Sequence, residues 1–245
     1  MKNDMLSLYD RLVGAVPAQT RIGAVRFGHL WAMAETEQGA GLGMFTEGHS
    51  VAPLFPAGLT GLSAPEAARA LLSWNLEEAS AGMAAVNACL NTPERAAALG
   101  CGGGHYADGI DFTDKTVGVI GHMHGPAGMR EAARAVYIIE RAPREGDYPD
   151  AACDWLLPGC DIVLITGSAL INKTLPHLLS LCQNALTILT GPSVPLCPAL
   201  FDYGLDRIAG LIVSDRDGLR RHVEEDTHGS PYVHGQPFVL CRQRG

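Results

Sequence analysis

No apolar run in this 245-residue chain approaches bilayer length, so the sequence offers no membrane-spanning helix. A basic excess is lacking too: 18 lysines and arginines face 26 aspartates and glutamates, a net charge of −8. Without surplus cations to neutralise phosphates, nucleic acid and anionic membranes are excluded as general partners. The seven cysteines, at 89, 101, 153, 160, 182, 197 and 241, include no CxxC pair. Most sit inside apolar runs, which suits buried free thiols in a reducing, cytoplasmic compartment. A GxSxG nucleophile elbow, a P-loop and an HExxH helix are all missing, so these usual signatures of serine hydrolases, NTPases and zinc proteases do not apply. Paired carboxylates at an informative spacing, internal repeats and low-complexity tracts do not occur.

What is present is an ordinary globular composition, 47% apolar and 18% charged, rich in turns through 29 glycines and 15 prolines. The length suits one large domain or two modest ones. Residues 1–17 carry Asp4 and Asp10 beside Leu6, Leu8, Leu12 and Val13, the stripe of an amphipathic helix rather than a signal peptide. Three short strands are expected at 21–27, 30–35 and 41–46, with Gly28 and His29 turning between the first two. Ser63 and Glu66 flank Pro65 as a capping box that opens a helix to about residue 73. A stronger helix covers 77–91, where Met83, Val86, Asn87 and Leu90 share a face. Residues 101–114 read as a linker.

The periodicity then changes. Apolar runs at 116–120, 136–140, 161–166, 186–190 and 208–213 have the character of buried parallel strands. Helical stretches at 127–135, 149–157, 175–182, 198–203 and 216–225 separate them, and 232–241 adds an edge strand. The expected fold is α/β: a Rossmann-like doubly wound parallel sheet over 111–245, preceded by an α+β domain over 1–110. A cleft between two such units is a favoured small-molecule site.

Loops after the carboxyl ends of the strands hold the candidate ligand residues, because open α/β sheets bind there. Gly121 ends the first strand in a glycine-rich turn whose spacing is not GxGxxG, so a dinucleotide site is weakly supported. Glu140 ends the second and could accept hydrogen bonds from ribose hydroxyls of a nucleotide or S-adenosylmethionine, or simply pair with Arg141 or Arg144. Thr166, Gly167, Ser168 and Asn172 follow the third strand, and Gly191, Pro192 and Ser193 the fourth. Their small neutral groups suit either a polar ligand or helix capping. His122 and His124 form an HxH pair that could bind a divalent transition metal, while His122 could instead act as a general acid or base. Asn87, on an apolar helix face, either satisfies backbone groups or looks into the cleft.

Four segments, VGVIGHM, VYIIERAP, DIVLITGSALINKTL and TGPSVPL, resemble in order the Rossmann-like domain of the family known as "Putative heavy-metal chelation". RIGAVRFGHLWAMAET, GAGLGMF and SAGMAAVNACLN resemble its companion, an enolase N-terminal-like domain. The resemblance implies one cleft between the two, like that of Rossmann-like methyltransferases. It also implies a link to metal handling, through condensation or hydrolysis of pterin-, flavin- or siderophore-like compounds. The positions carried over are Gly121, His122, Glu140, Thr166, Gly167, Ser168, Asn172, Gly191, Pro192, Ser193 and Asn87.

Three readings follow: an enzyme-like cleft for a small polar or metal-chelating molecule, a non-catalytic carrier of a metal or metallophore, and an S-adenosylmethionine or nucleotide binder. The expected partner is a small molecule, with homo-oligomerisation as the default assembly.

Overall fold

Buried strands alternating with short helices in the second half of the chain build one eight-stranded sheet, and the first half packs a smaller sheet and a long helix against it. The computed structural model describes residues 7–123, 125–226 and 229–243. The first half contributes α1 (Ser7–Gly14), β1 (Ala24–Phe27), β2 (Trp31–Glu35), β3 (Ala40–Met44), α2 (Ala64–Ala68), α3 (Leu76–Leu90) and α4 (Pro93–Ala98). β1, β2 and β3 form an antiparallel sheet in that order, with Ala24 opposite Glu35 and Trp31 opposite Met44.

Helix α3 starts where the Asn75 side chain accepts the Glu78 N–H at 3.0 Å, and Glu77 and Glu78 in its first turn complement the helix dipole. Its small residues let it lie directly on β3. A Cβ at Gly41 would fall 2.2 Å from the Ala88 nitrogen, and one at Gly43 2.1 Å from the Ser80 carbonyl oxygen, so only glycine permits this approach.

The second half runs β4 (Gly102–Gly103), β5 (Thr116–Ile120), α5 (Met129–Ala132), β6 (Ala135–Glu140), β7 (Tyr148–Pro149), α6 (Cys153–Leu156), β8 (Ile162–Thr166), α7 (Ser168–Ile171), α8 (Leu175–Leu181), β9 (Leu186–Thr190), β10 (Arg207–Val213), α9 (Arg216–Glu224) and β11 (Gly235–Cys241). Sheet order is β4-β11-β10-β9-β8-β5-β6-β7. Neighbours from β10 to β7 are parallel, while β11 lies antiparallel to both β10 and β4. From β5 the chain moves outward to β6 and β7, then returns to place β8, β9 and β10 on the other side. The direction of strand order therefore reverses between β5 and β8. The mixed α/β fold expected from the sequence, with a large mostly parallel sheet and a separate small antiparallel one, is what forms.

Several local expectations change. The helix expected over 127–135 is a single turn, Met129–Ala132: Gly128 precedes it in the left-handed region, and Ala133 is already extended toward β6. The helix expected over 149–157 is broken into 3-10, α and 3-10 turns, the last containing Pro158, which has no N–H to continue a helix. Ser63 occupies the expected N-cap, but its side chain makes no capping hydrogen bond. Within the supposed linker, Gly102 and Gly103 add to the sheet beside β11, which therefore is not its outermost strand.

One apolar core runs through both halves. Leu8 and Leu12 of α1, Met83 and Leu90 of α3, Ile165 of β8, Leu170 of α7 and Leu189 of β9 belong to it. No described helix is long and apolar enough to cross a membrane.

Candidate functional site

The reversal of strand order matters because the loops after β5 and β8 leave on opposite faces of the sheet, which opens a crevice between them. A cavity of about 190 Å³ lies there, lined by the ends of β5 (Ile120, Gly121), β6 (Ile139, Glu140) and β8 (Thr166). The α7 turn supplies Ser168 and Ala169, and Asn172 and Thr174 follow it. Five of the residues singled out from sequence, Gly121, Glu140, Thr166, Ser168 and Asn172, thus meet around one hollow.

Their geometry is specific. Gly121 has φ of 97°, a backbone state that favours glycine, and a Cβ there would fall 3.0 Å from Thr166 Cγ2. It lets the β5 loop turn between Thr166 and Glu140. Glu140 Oε2 accepts from the N–H of Arg141 at 2.9 Å and of Ala142 at 3.4 Å, so the carboxylate organises its own loop while lining the cavity. Ser168 Oγ donates to Thr166 Oγ1 at 3.4 Å. Asn172 Oδ1 accepts from the Thr174 N–H at 3.1 Å and hydroxyl at 2.6 Å, a turn that leads into α8. Capping and cavity lining coincide at Asn172.

The other candidates sit elsewhere. Ser193 is buried, and its Oγ accepts the Met44 N–H at 2.8 Å. Gly191 donates its N–H to Ala209 O at 3.2 Å, and Pro192 is half-buried in the same turn. Gly167 packs beneath that turn, where a Cβ would fall 2.8 Å from Val194 Cγ2. The loop after β9 is therefore a seat for the first half of the chain. Asn87 is fully buried and donates Nδ2 to Leu42 O at 2.7 Å, while its Oδ1 has no hydrogen-bond partner among the described residues. It satisfies backbone, one of the two roles open to it from sequence.

His122 does not line the strand-end cavity: its Nε2 lies 2.5 Å from Asp147 Oδ2. That hydrogen bond, followed by one from the Arg144 N–H, holds the Asp147 carboxyl below the usual range. His124 lies outside the described residues. Among the described residues no three histidine, cysteine, aspartate or glutamate side chains are arranged to hold a metal ion.

Sequence reasoning missed the opposite wall. Asp150, Cys153 and Asp154 line the cavity from the segment after β7, and His177 from the first turn of α8. His177 Nε2 lies 3.2 Å from Asp154 Oδ1, so the imidazole at this cavity is His177. Burial, followed by the neighbouring Asp150 and Asp154, pushes the Cys153 thiol up to about 11, which keeps it protonated and unreactive near neutrality. First-turn side chains of helices that follow strands also face the carboxyl edge of a sheet. That rule would have drawn attention to Asp154 and His177.

Residues 109–236 match the DUF364 family model and residues 9–90 the DUF4213 model, both described as "Putative heavy-metal chelation". The chain belongs to this family. A crystal structure of a DUF364 family protein of unknown function from Desulfitobacterium hafniense is 33% identical, covers 97% of this chain and 99% of its own, and superposes with a TM-score of 0.86. A second DUF364 structure, from Pyrococcus horikoshii, shares the fold at 20% identity with a TM-score of 0.75, over 97% of this chain and 99% of its own. An uncharacterized protein of Methanocaldococcus jannaschii, MJ0500, is 32% identical over 152 residues, 59% of this chain. The match spans 58% of that relative's length.

Proposed function

We propose that the hollow where strand order reverses binds a compact, hydroxyl- or amine-bearing organic molecule, of the kind that includes metal-chelating and heteroaromatic compounds. The observation that carries this reading is the gathering of Gly121, Glu140, Thr166, Ser168 and Asn172 around one cavity. Three carboxylates, Glu140, Asp150 and Asp154, line it with Arg141 and His177, a set richer in acceptors than in cations. A ligand presenting hydrogen-bond donors suits it best. At about 190 Å³ the cavity is smaller than the roughly 300–1,000 Å³ of common ligand pockets, so one ring, or the polar end of a larger molecule, is the appropriate size.

On this reading residues 111–245 carry the site and residues 1–110 form a companion domain, seated on the loop after β9 instead of roofing this cavity. Glu140 holds ligand hydroxyls, Thr166, Ser168 and Asn172 orient the polar ring, and His177 is the group that exchanges protons if the ligand is turned over. The nucleoside of S-adenosylmethionine, held through Glu140, is the second reading, favoured by the position of that carboxylate at the end of β6.

Thermal unfolding with pterins, flavins, catechols, nucleosides and S-adenosylmethionine tests the proposal. A ligand present at a hundredfold excess over its dissociation constant stabilises the folded state by about 2.7 kcal/mol. Glu140→Gln should weaken binding at least about tenfold, the loss of one charge-assisted hydrogen bond. Ser193→Ala should lower the unfolding midpoint and leave ligand affinity intact. Equal affinity in Glu140→Gln and the parent would sink the reading.

A further inference from the structure

A second cavity, of about 550 Å³, opens in the first half of the chain and is lined by none of the residues discussed above as ligand groups. Val25 and Phe27 of β1 form one wall, and Phe45, Pro53 and Phe55 come from the segment after β3. Its floor includes Ala81 of α3. Phe27 and Phe45 pack edge to face, with ring centroids 6.1 Å apart at 79°, so the two rings make a corner.

The charged groups lining this apolar space are both acidic, Glu77 and Glu78 at the start of α3; no lysine or arginine is among its described lining residues. Glu78 is only 8% exposed, and its two carboxylate oxygens accept the N–H groups of Leu54 at 2.7 Å and Phe55 at 2.6 Å. A buried carboxylate thereby fixes the segment that carries Phe55 and is also part of the cavity lining. Glu77 Oε1 lies 3.0 Å from His49 Nδ1 at the exposed rim.

We infer that this cavity is a ligand site for a hydrophobic organic cation, an alkylated ammonium with an apolar body. Aromatic faces attract a cation through their quadrupole, more weakly at a half-exposed ring such as Phe27 than at a buried one, and a carboxylate wall adds direct Coulomb attraction. The volume lies in the range of common small-molecule pockets. An anion would meet two carboxylates with no lysine or arginine among the described lining residues, and a neutral hydroxyl could donate a hydrogen bond to Glu77 but would gain no net Coulomb attraction.

The site is separate from the strand-end hollow, so it stands or falls alone. Titration calorimetry with benzyltrimethylammonium, benzyl alcohol and phenylacetate tests it. The expected result is saturable, one-site binding of the ammonium, at least about tenfold weaker binding of the alcohol, and none of the anion. Glu77→Gln, which should lower the urea midpoint only slightly through the lost helix-dipole and His49 contacts, should weaken the ammonium about tenfold and the alcohol much less. Glu140→Gln should alter neither. Equal affinity for ammonium and alcohol would overturn the inference, as would the lack of saturable binding. So would a self-associated dimer in sedimentation, dispersed by Phe27→Asp, that does not bind the ammonium.

Discussion

Replacing Asn91 by alanine should lower the free energy of unfolding by about 3–5 kcal/mol, the largest loss expected for a single side chain outside the apolar core. Asn91 caps the carboxyl end of α3 and is 2% exposed. Its Nδ2 donates to Val194 O at 2.8 Å and to Leu211 O at 3.2 Å, while Oδ1 accepts the Leu196 N–H at 2.8 Å. One amide thus satisfies three backbone groups belonging to the loop after β9 and to β10. Alanine would leave them buried and unpaired, at about 1–3 kcal/mol each before relaxation. Room for relaxation is small, since a Cβ on neighbouring Gly210 would already fall 2.4 Å from Val194 O. Asn91→Asp should be no milder, because it keeps the acceptor, loses both donors and buries a charge. Urea denaturation read by linear extrapolation measures the effect. A loss below about 1 kcal/mol would mean that water replaces the amide and that this seam is not dry.

Raising the pH from about 9 to 11 should destabilise the protein, first through its thiols and, above about 10, also through the phenols of Tyr9, Tyr106 and Tyr232, which burial likewise raises. Burial lifts Cys89, Cys153 and Cys160 from 9.0 to about 11 and Cys182 to about 12; for Cys182 the neighbouring Cys160 and Cys153 add to the effect. A group whose pKa is higher in the folded state contributes stability that is complete below its unfolded value. That stability is lost as pH climbs through the folded value. At pH 10 each of these four thiols costs about 1.4 kcal/mol, because only the unfolded chain ionises freely.

Lys173 opposes the trend. Burial lowers it from 10.5 to about 8, so from pH 8 to 10.5 the unfolded chain holds the extra proton and stability rises. Its ammonium donates to Ile171 O at 2.9 Å and lies 5.3 Å from the centre of the Tyr9 ring. That gain is at most on the order of 3 kcal/mol, against roughly 5–6 for the thiols at pH 10 and more at pH 11. Stability should therefore stay nearly level to about pH 9 and then fall steeply. Guanidinium titrations at half-unit steps under reducing conditions would follow it. Cys182→Ala should flatten the decline, and Lys173→Met should remove the opposing rise. A constant stability from pH 9 to 11 would show that solvent reaches the thiols in the folded protein.

The two asparagines of α3 show where sequence reading stopped. Asn87 is conspicuous because it interrupts an apolar helical face, yet it makes a single hydrogen bond to β3. Asn91, one turn later at a helix end, looks like an ordinary cap and in fact stitches α3 to two distant segments. Local pattern gives no hint of the difference, because all three partners lie more than 100 residues away. Ser193 repeats the lesson: small, hydroxylated and strand-terminal like Thr166, it meets Met44 of the first half.

What the chain's own pattern settles is the alternation of buried strands and helices after residue 115, the antiparallel trio before it, and the polar character of the strand ends. These follow from side-chain periodicity and turn chemistry, which act over a few residues. Tertiary structure alone decides which strand ends become neighbours, because the reversal of order between β5 and β8 is a long-range choice of pairing. It brings Gly121, Glu140, Thr166, Ser168 and Asn172 together, adds Asp154 and His177 from helices, and turns Ser193 toward the companion sheet. Hydrogen bonds and close packing between segments remote in sequence make those assignments, and no local window contains them.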